Sequence, residues 1–227
     1  NIFIKYNLNI TESAELFTDM QLRGFSHKMK GNDNDKSIID LDKNNVFFNP
    51  KIGLTKSLND KIFLYGSIAV ANREPIRSDY IDSKIETKHE SLVNIELGKG
   101  IDYNIGSFNT NLYLMEYNNQ LITTGEVNDV GAYIRENVKK SRRFGFELTN
   151  VLNTKDFYIN SSLSLSRNLV YNFNETLYDY GADFSQYNII ENKYDITDLA
   201  FSPGFILNNH FEWKANKFLS FILNSKY

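Results

Sequence analysis

The sequence predicts an all-β protein, an antiparallel transmembrane β-barrel portion of about ten strands with short periplasmic turns and long extracellular loops. Three observations predict it. Apolar residues recur with a period of two, as on one face of a strand. Short turns near residues 11–13, 59–61, 102–106, 153–156 and 214–217 alternate with long polar connections at 28–45, 72–89, 123–140 and 174–199. The segments between them suit strands of about ten residues, enough to cross a bilayer when tilted.

Each element follows in chain order. In residues 1–10, Ile2, Ile4, Tyr6, Leu8 and Ile10 fall on one side, and Lys5, Asn7 and Asn9 on the other. Ile62, Leu64, Ile68 and Val70 oppose Tyr65 and Ser67, and Val93, Ile95 and Leu97 oppose Asn94 and Glu96. Residues 109–117 alternate poorly, and no face is assigned to them. Phe144, Phe146 and Leu148 oppose Arg143, Glu147 and Thr149, and Phe157, Ile159, Leu163 and Leu165 oppose Asn160, Ser162 and Ser164. Phe205, Leu207, Phe211 and Trp213 oppose Asn208, His210 and Glu212, and Leu219, Phe221, Leu223 and Tyr227 oppose Ser220, Asn224 and Lys226. The apolar sets are expected to meet lipid. Lys5, Asn7, Tyr65, Asn94, Glu96 and Glu147 are expected to meet a wet or plugged lumen. Aromatics near the strand ends (Phe17, Phe47, Phe63, Tyr117, Phe157, Trp213, Phe218 and Tyr227) are expected to form interfacial girdles. A soluble antiparallel sandwich alternates in the same way and is the competing architecture.

Composition narrows the function classes. With 41% hydrophobic residues, 12 Gly and 3 Pro, the chain is neither disordered nor collagen-like. Zero Cys excludes disulfide scaffolds, iron–sulfur clusters and thiolate zinc sites. A net charge of −3 argues against a general nucleic-acid binder. The longest low-polarity run, residues 62–71, is broken by Gly66 and Ser67 and is too short for a membrane-spanning helix. Asn1 opens directly into an alternating pattern, so no signal peptide is expected. The chain is expected to be a piece of a longer protein, since it opens without Met and closes inside an alternating run.

No enzyme motif is present, and no catalytic residue, metal or cofactor is expected. Gly98-Lys99-Gly100 lacks the third glycine and the helix of a dinucleotide loop. His27, His89 and His210 are far apart and read as loop or wall residues. Asp33, Asp35, Asp40 and Asp42 read as a solvated acidic loop, because Ile38 stands where a calcium loop needs Gly. Two segments carry candidate binding residues. In residues 71–77, Pro75 cannot join a ladder and ends a strand, leaving Arg73 on the polar side near Arg77. Arg73 there either clamps an anionic ligand or forms an Arg–Glu brace at the loop base. In residues 120–131, Gly125 and Gly131 bracket a polar turn that either approaches a ligand or closes a hairpin on local Asn and Asp hydrogen bonds. Glu126 and, beyond it, Arg135 complete the candidate set.

A family likeness runs through these segments. Phe47-Phe48-Asn49-Pro50-Lys51-Ile52-Gly53-Leu54 and Ala69-Val70-Ala71-Asn72-Arg73-Glu74-Pro75 resemble paired strands of TonB-dependent outer-membrane receptors of the Bacteroidetes type. So do Asn111-Leu112-Tyr113-Leu114-Met115-Glu116-Tyr117, the 120–131 segment and Arg142-Arg143-Phe144-Gly145-Phe146-Glu147-Leu148. The resemblance implies one domain over residues 1–227, corresponding to roughly strands 10 to 19 of a plugged 22-stranded barrel. It implies that the plug, its TonB box and the last strands lie outside this chain. It further implies import of a scarce nutrient, such as a ferric siderophore or haem, with no covalent chemistry. The implied partners are the small-molecule ligand, the TonB complex acting through the plug, and outer-membrane lipid. The family's ligand contacts are not fixed by a motif, so Arg73, Arg77, Glu126 and Arg135 are carried over as extracellular loop candidates for ligand binding. Residues 84–89 and 132–137 depart from the usual pattern, which leaves the substrate open. A general outer-membrane porin and a soluble β-sandwich binding or adhesion domain are the alternative functions.

Overall fold

The computed structural model describes residues 1–32, 38–83, 85–128, 130–182 and 186–227. Asp33 and Asp35 of the acidic cluster, together with Lys84 and Asp129, lie outside the described residues. Eleven strands and one short helix follow in order: β1 (Ile2–Thr11), β2 (Ala14–Asn32), β3 (Ile38–Asn59), β4 (Ile62–Arg73), α1 (Arg77–Asp82), β5 (Glu90–Tyr103), β6 (Gly106–Val127), β7 (Tyr133–Asn153), β8 (Phe157–Asp179), β9 (Asn188–Asp198), β10 (Phe205–Asn216) and β11 (Leu219–Lys226). They form one antiparallel sheet in the order β1-β2-β3-β4-β5-β6-β7-β8-β10-β11, with β9 also on β8. The sheet is open, and β1 and β11 are its edges among the described residues.

β9 and β10 are two parts of one wall strand. The lower half of β8 pairs with β10, from Phe157↔Trp213 to Leu165↔Phe205. The upper half pairs with β9, from Leu169↔Asp198 to Asp179↔Asn188. The sheet is therefore ten strands wide, as the alternation predicts. Short turns join β1–β2, β3–β4, β5–β6, β7–β8 and β10–β11, and antiparallel pairing brings all of them to one end of the sheet.

Direct cross-strand partners share a face, so register tests the predicted sides. Ile4 pairs with Met20, Thr18 with Ile52, and Ile52 with Ile68. Ile68 pairs with Ile95, Ile95 with Leu114, and Leu114 with Phe144. Phe146 pairs with Leu165, Leu165 with Phe205, and Phe211 with Leu223. One apolar band thus crosses all ten wall strands. Lys5 faces Asp19 on the opposite side, in a line that continues through Lys51, Ala69, Asn94, Met115, Arg143 and Asn168. Leu112 and Leu114 belong to the apolar band and Tyr113 to the polar side, which assigns the faces of residues 109–117. No second sheet covers the band among the described residues: Ile4 is 66% exposed and Leu97 59% exposed. A sandwich would bury these side chains, so the sandwich architecture is set aside.

Two expectations are corrected. The connections at 28–45 and 123–140 are largely strand rather than loop, since β2, β3, β6, β7 and β8 each run 19 to 23 residues. Polar sequence does not prevent this, because the ladder satisfies the backbone and cross-strand ion pairs such as Lys28–Asp42, at 2.9 Å, join exposed side chains. The 174–199 connection holds the top of β8 and all of β9, and 72–89 holds α1. The aromatic girdle also splits. Phe157, Trp213 and Tyr227 lie with the apolar band. Phe17, Phe47, Phe63 and Tyr117 lie on the polar face, paired with Gly53, Arg23, Gly100 and Ser141. Rings on this face lie over glycines of the next strand: a Cβ on Gly53 would meet the Phe17 ring at 2.3 Å, and one on Gly98 would meet Tyr65 at 2.2 Å.

Candidate functional site

At the end opposite the short turns, neighbouring strands differ in length. β4 pairs with β3 only up to Lys51↔Ala69, and β5 pairs with β6 only up to Ser91↔Asn118. The upper edges of β3 and β6 therefore face each other across a gap. Residues 74–83 and 85–89 fill it as a strap. Pro75 ends the β4 ladder, and the Asp79 carboxylate accepts the Ile76 N–H at 2.8 Å, starting α1.

The strap is anchored on both sides. Toward β7, Arg135 grips buried Asp79 with two hydrogen bonds, Nε to Oδ1 at 2.9 Å and Nη2 to Oδ2 at 2.8 Å. Asn137 then acts as a strand partner: its Oδ1 accepts the Lys88 N–H at 2.7 Å and its Nδ2 donates to the Lys88 carbonyl at 2.9 Å. Toward the β2–β3 hairpin, Glu74 pairs with Arg23 and Glu86 with Lys43, the latter at 2.7 Å. The Lys43 ammonium holds the Glu86 carboxyl below its usual range, and Glu86 holds the Lys43 ammonium above its own. The Tyr80 ring meets His27 edge-on, and burial raises its phenol.

Arg73 sits at the foot of this strap. Its Nε lies 2.8 Å from Oε2 of Glu90, a side chain only 8% exposed, while the Arg73 side chain is 59% exposed. The other Glu90 oxygen accepts the Leu121 N–H at 2.6 Å. Arg73 is therefore part of a brace and also open to solvent. A cavity of about 510 Å³ opens beside it, lined by Phe25, His27, Arg73, Glu74, Arg77 and Arg135 among others. Arg77 makes no ion pair among the described residues. Three of the four predicted residues are thus gathered at one cavity.

Glu126 stands apart. It belongs to the top of β6, which crosses over β7 to touch β8, with Thr176 Oγ1 3.5 Å from Glu126 Oε1. Ile122, Val138 and Val170 pack beneath this crossing with Phe173 and Leu199. A second cavity, also about 510 Å³, lies between Gln120–Gly125, β7, β8, β9 and residues 199–202. Its lining includes Arg135, Arg143, Phe173, Glu175, Tyr194 and Phe201, so Arg135 belongs to both cavity walls. Asp79, Glu90, Asn137 and Phe201 escape a sequence reading, because their partners are 17 to 56 residues away or their role depends on a bulge. The polar-face position of Arg143 is legible from its alternation with Phe144. No cluster of three metal-binding side chains occurs among the described residues.

Comparisons with known proteins agree with this architecture. The family described as TonB dependent receptor-like, beta-barrel, matches residues 2–225. The siderophore receptor PirA from Pseudomonas aeruginosa is similar at 15% identity and a TM-score of 0.65, over 99% of this chain and 36% of that one. The ferric-catecholate import receptor Fiu from E. coli K12 is similar at 16% identity and a TM-score of 0.68, over 99% and 33%. The copper transporter OprC reaches a TM-score of 0.73 at 13% identity, over 94% and 32%. This chain spans about a third of the length of these structures, and at such identity the likeness is one of fold. No curated protein matches the chain.

Proposed function

Because this chain belongs to the family of TonB-dependent receptor-like β-barrels, we propose that it forms wall and outer mouth of a bacterial outer-membrane receptor importing a scarce nutrient, a ferric siderophore or haem. The observation that carries the reading is the single apolar band crossing ten wall strands, with all short turns at one end. Only a closed barrel satisfies strand backbones in lipid, so such a band belongs to a wall completed by strands beyond these residues. Energy would come from a TonB complex acting through a plug that also lies outside them. The receptor carries its cargo without covalent chemistry.

The anion-binding wall in this reading is Arg73, Arg77 and Arg135, with Glu126 at the rim on the far hairpin. Arg77 supplies the positive charge that the Glu90 and Asp79 pairs do not neutralise. A charge-assisted bond to an oxygen-rich chelate contributes about 1.5–3 kcal/mol. The family match over residues 2–225 favours a receptor over a freely open porin.

The test is growth of a strain deleted for the full gene on single iron sources. Loss of growth on one iron chelate or on haem, restored by the intact gene only when TonB is present, supports the reading. Unchanged growth on every iron source, with faster passage of small sugars through the purified protein, replaces it with a porin.

A further inference from the structure

We propose that Phe201 and Arg143 form a subsite for an aromatic acid, the ring stacking on Phe201 and the acidic oxygens meeting Arg143; the inference rests on the receptor reading above. Between β9 and β10 the chain leaves the ladder for residues 199–204. Phe201 there has φ 57, in the left-handed region that an aromatic residue rarely adopts. The residue is 94% exposed. Backbone preference does not account for an aromatic in this position. The bulge is nevertheless tied down at both ends. Leu199 N–H donates to the Asn168 carbonyl at 2.8 Å, and Ser166 N–H to the Gly204 carbonyl at 2.8 Å. Asn168 Nδ2 reaches the Ser202 carbonyl at 3.3 Å, and Ser166 Oγ the Pro203 carbonyl at 3.3 Å. A strained residue held this firmly, with its ring in the open, marks a functional position.

Asn168 also links the bulge to Arg143. The two are direct cross-strand partners on the polar face, and Arg143 and Phe201 line the same cavity. The Arg143 guanidinium lies over the Tyr117 ring, 5.0 Å from its centroid. Its Nε is buried and has no hydrogen-bond partner. Stacking fixes the plane of the guanidinium; the buried Nε is closed to a ligand, and the Nη groups, which make no hydrogen bond among the described residues, are the donors that an incoming acceptor can reach. Phe173 and Leu199 supply an apolar floor. Of the charged side chains in this lining, Glu175 accepts from Tyr194 Oη at 3.1 Å and Asn192 Nδ2 at 3.3 Å, Asp198 lies 3.9 Å from Arg167, and Arg135 is held by Asp79, which leaves Arg143 as the cation without an ion pair among the described residues. The ring can arrive as a free aromatic acid or as an aryl group of a larger chelate; the chemistry recognised is the same.

The test uses the full-length receptor in detergent micelles, with 4-fluorobenzoate as the probe and its ¹⁹F line width as the readout. Wild-type receptor is expected to broaden the line. Phe201→Ala should reduce the broadening at least tenfold and Phe201→Trp should keep it. Arg143→Gln should remove it, and 4-fluorobenzylamine, the cationic analogue, should not broaden. Phe201→Gly should abolish binding while raising the melting temperature, because it relieves the positive φ. Equal broadening in wild type and Phe201→Ala overturns the subsite, as does no broadening in wild type. Equal competition by cyclohexanecarboxylate, which has the charge without the ring, overturns the aromatic assignment. These outcomes are read on purified protein and leave TonB-dependent growth untouched, so the subsite can fail while the receptor reading stands.

Discussion

The backbone of Gly125 in β6 lies against the carbonyl of Thr176 in β8, although β7 separates the two strands along the sheet. A Cβ on Gly125 would come within 2.2 Å of that oxygen, and the residue has φ +92. Only glycine allows the top of β6 to curl over β7 and close one wall of the second cavity. The contact needs space and left-handed backbone at the same position.

Gly125→Ala is therefore expected to open the crossing at a cost on the order of 1–3 kcal/mol. Amide exchange should speed up in residues 120–127 and 173–178, and stay unchanged near Ile68 and Ile95 in the wall. Uniform acceleration through the wall would show that the crossing supports the whole sheet and not the mouth alone.

Arg73 and Arg77 separate brace from ligand contact. Arg73→Ala leaves buried Glu90 without its cation, so it should lower stability as well as uptake. Arg77→Ala removes a side chain that makes no ion pair among the described residues. It should weaken uptake roughly tenfold, the equivalent of 1.4 kcal/mol, with the melting temperature unchanged. Unaltered uptake in Arg77→Ala, measured with the labelled iron source of the intact receptor, would remove Arg77 from the binding wall.

The outer hairpin of β2 and β3 should respond to pH at both extremes. The hydrogen bond and charge of Lys28 hold the Asp42 carboxyl below its ordinary 3.8. Its contribution is full above that value and is lost as pH falls through the depressed one. Asp42 likewise holds the Lys28 ammonium above 10.5, so that contribution is full below 10.5 and is lost as pH rises through the raised value. Both groups are solvent-exposed, and about 1 M salt should erase the effect. Limited tryptic cleavage at Lys28, Lys30 and Lys43 across pH and salt checks this; protection that is independent of both would show that the ladder alone holds these strand ends.

Because the chain contains no Cys, single cysteines can map its faces directly. Ile4→Cys, Ile68→Cys and Leu97→Cys should react with a lipid-soluble maleimide in the assembled receptor. Lys5→Cys, Tyr65→Cys and Glu96→Cys should react with a charged one. Labelling of Ile4→Cys and Lys5→Cys by the same reagent would break the register.

The wall was legible because its information is local. Alternation of Ile62, Leu64, Ile68 and Val70 with Tyr65 and Ser67 needs no knowledge of neighbours, and it places both faces correctly. The mouth was not, because its information is pairwise. Whether Lys28 and Asp42 lie in a loop or face each other across a ladder depends on residues 14 positions apart. Phe63 reads as a girdle aromatic until Gly100 is known to lie under it. Arg135 was legible as a charged residue near the mouth, but its grip on Asp79 spans 56 positions and a helix of one and a half turns that the polar sequence hides. Asn119 and Asn172, at φ 53 and 51, fall at the level of Lys139 on either side of β7. There the side-chain alternation that made the wall readable stops applying.

β8 runs unbroken for 23 residues past the interruption that divides β9 from β10. In mechanical terms the opposite strand is a jointed beam and β8 is its splint. The joint at residues 199–204 is itself pinned to β8 by four hydrogen bonds. The splint therefore carries the segment with Phe201 as well as the two half-strands it joins.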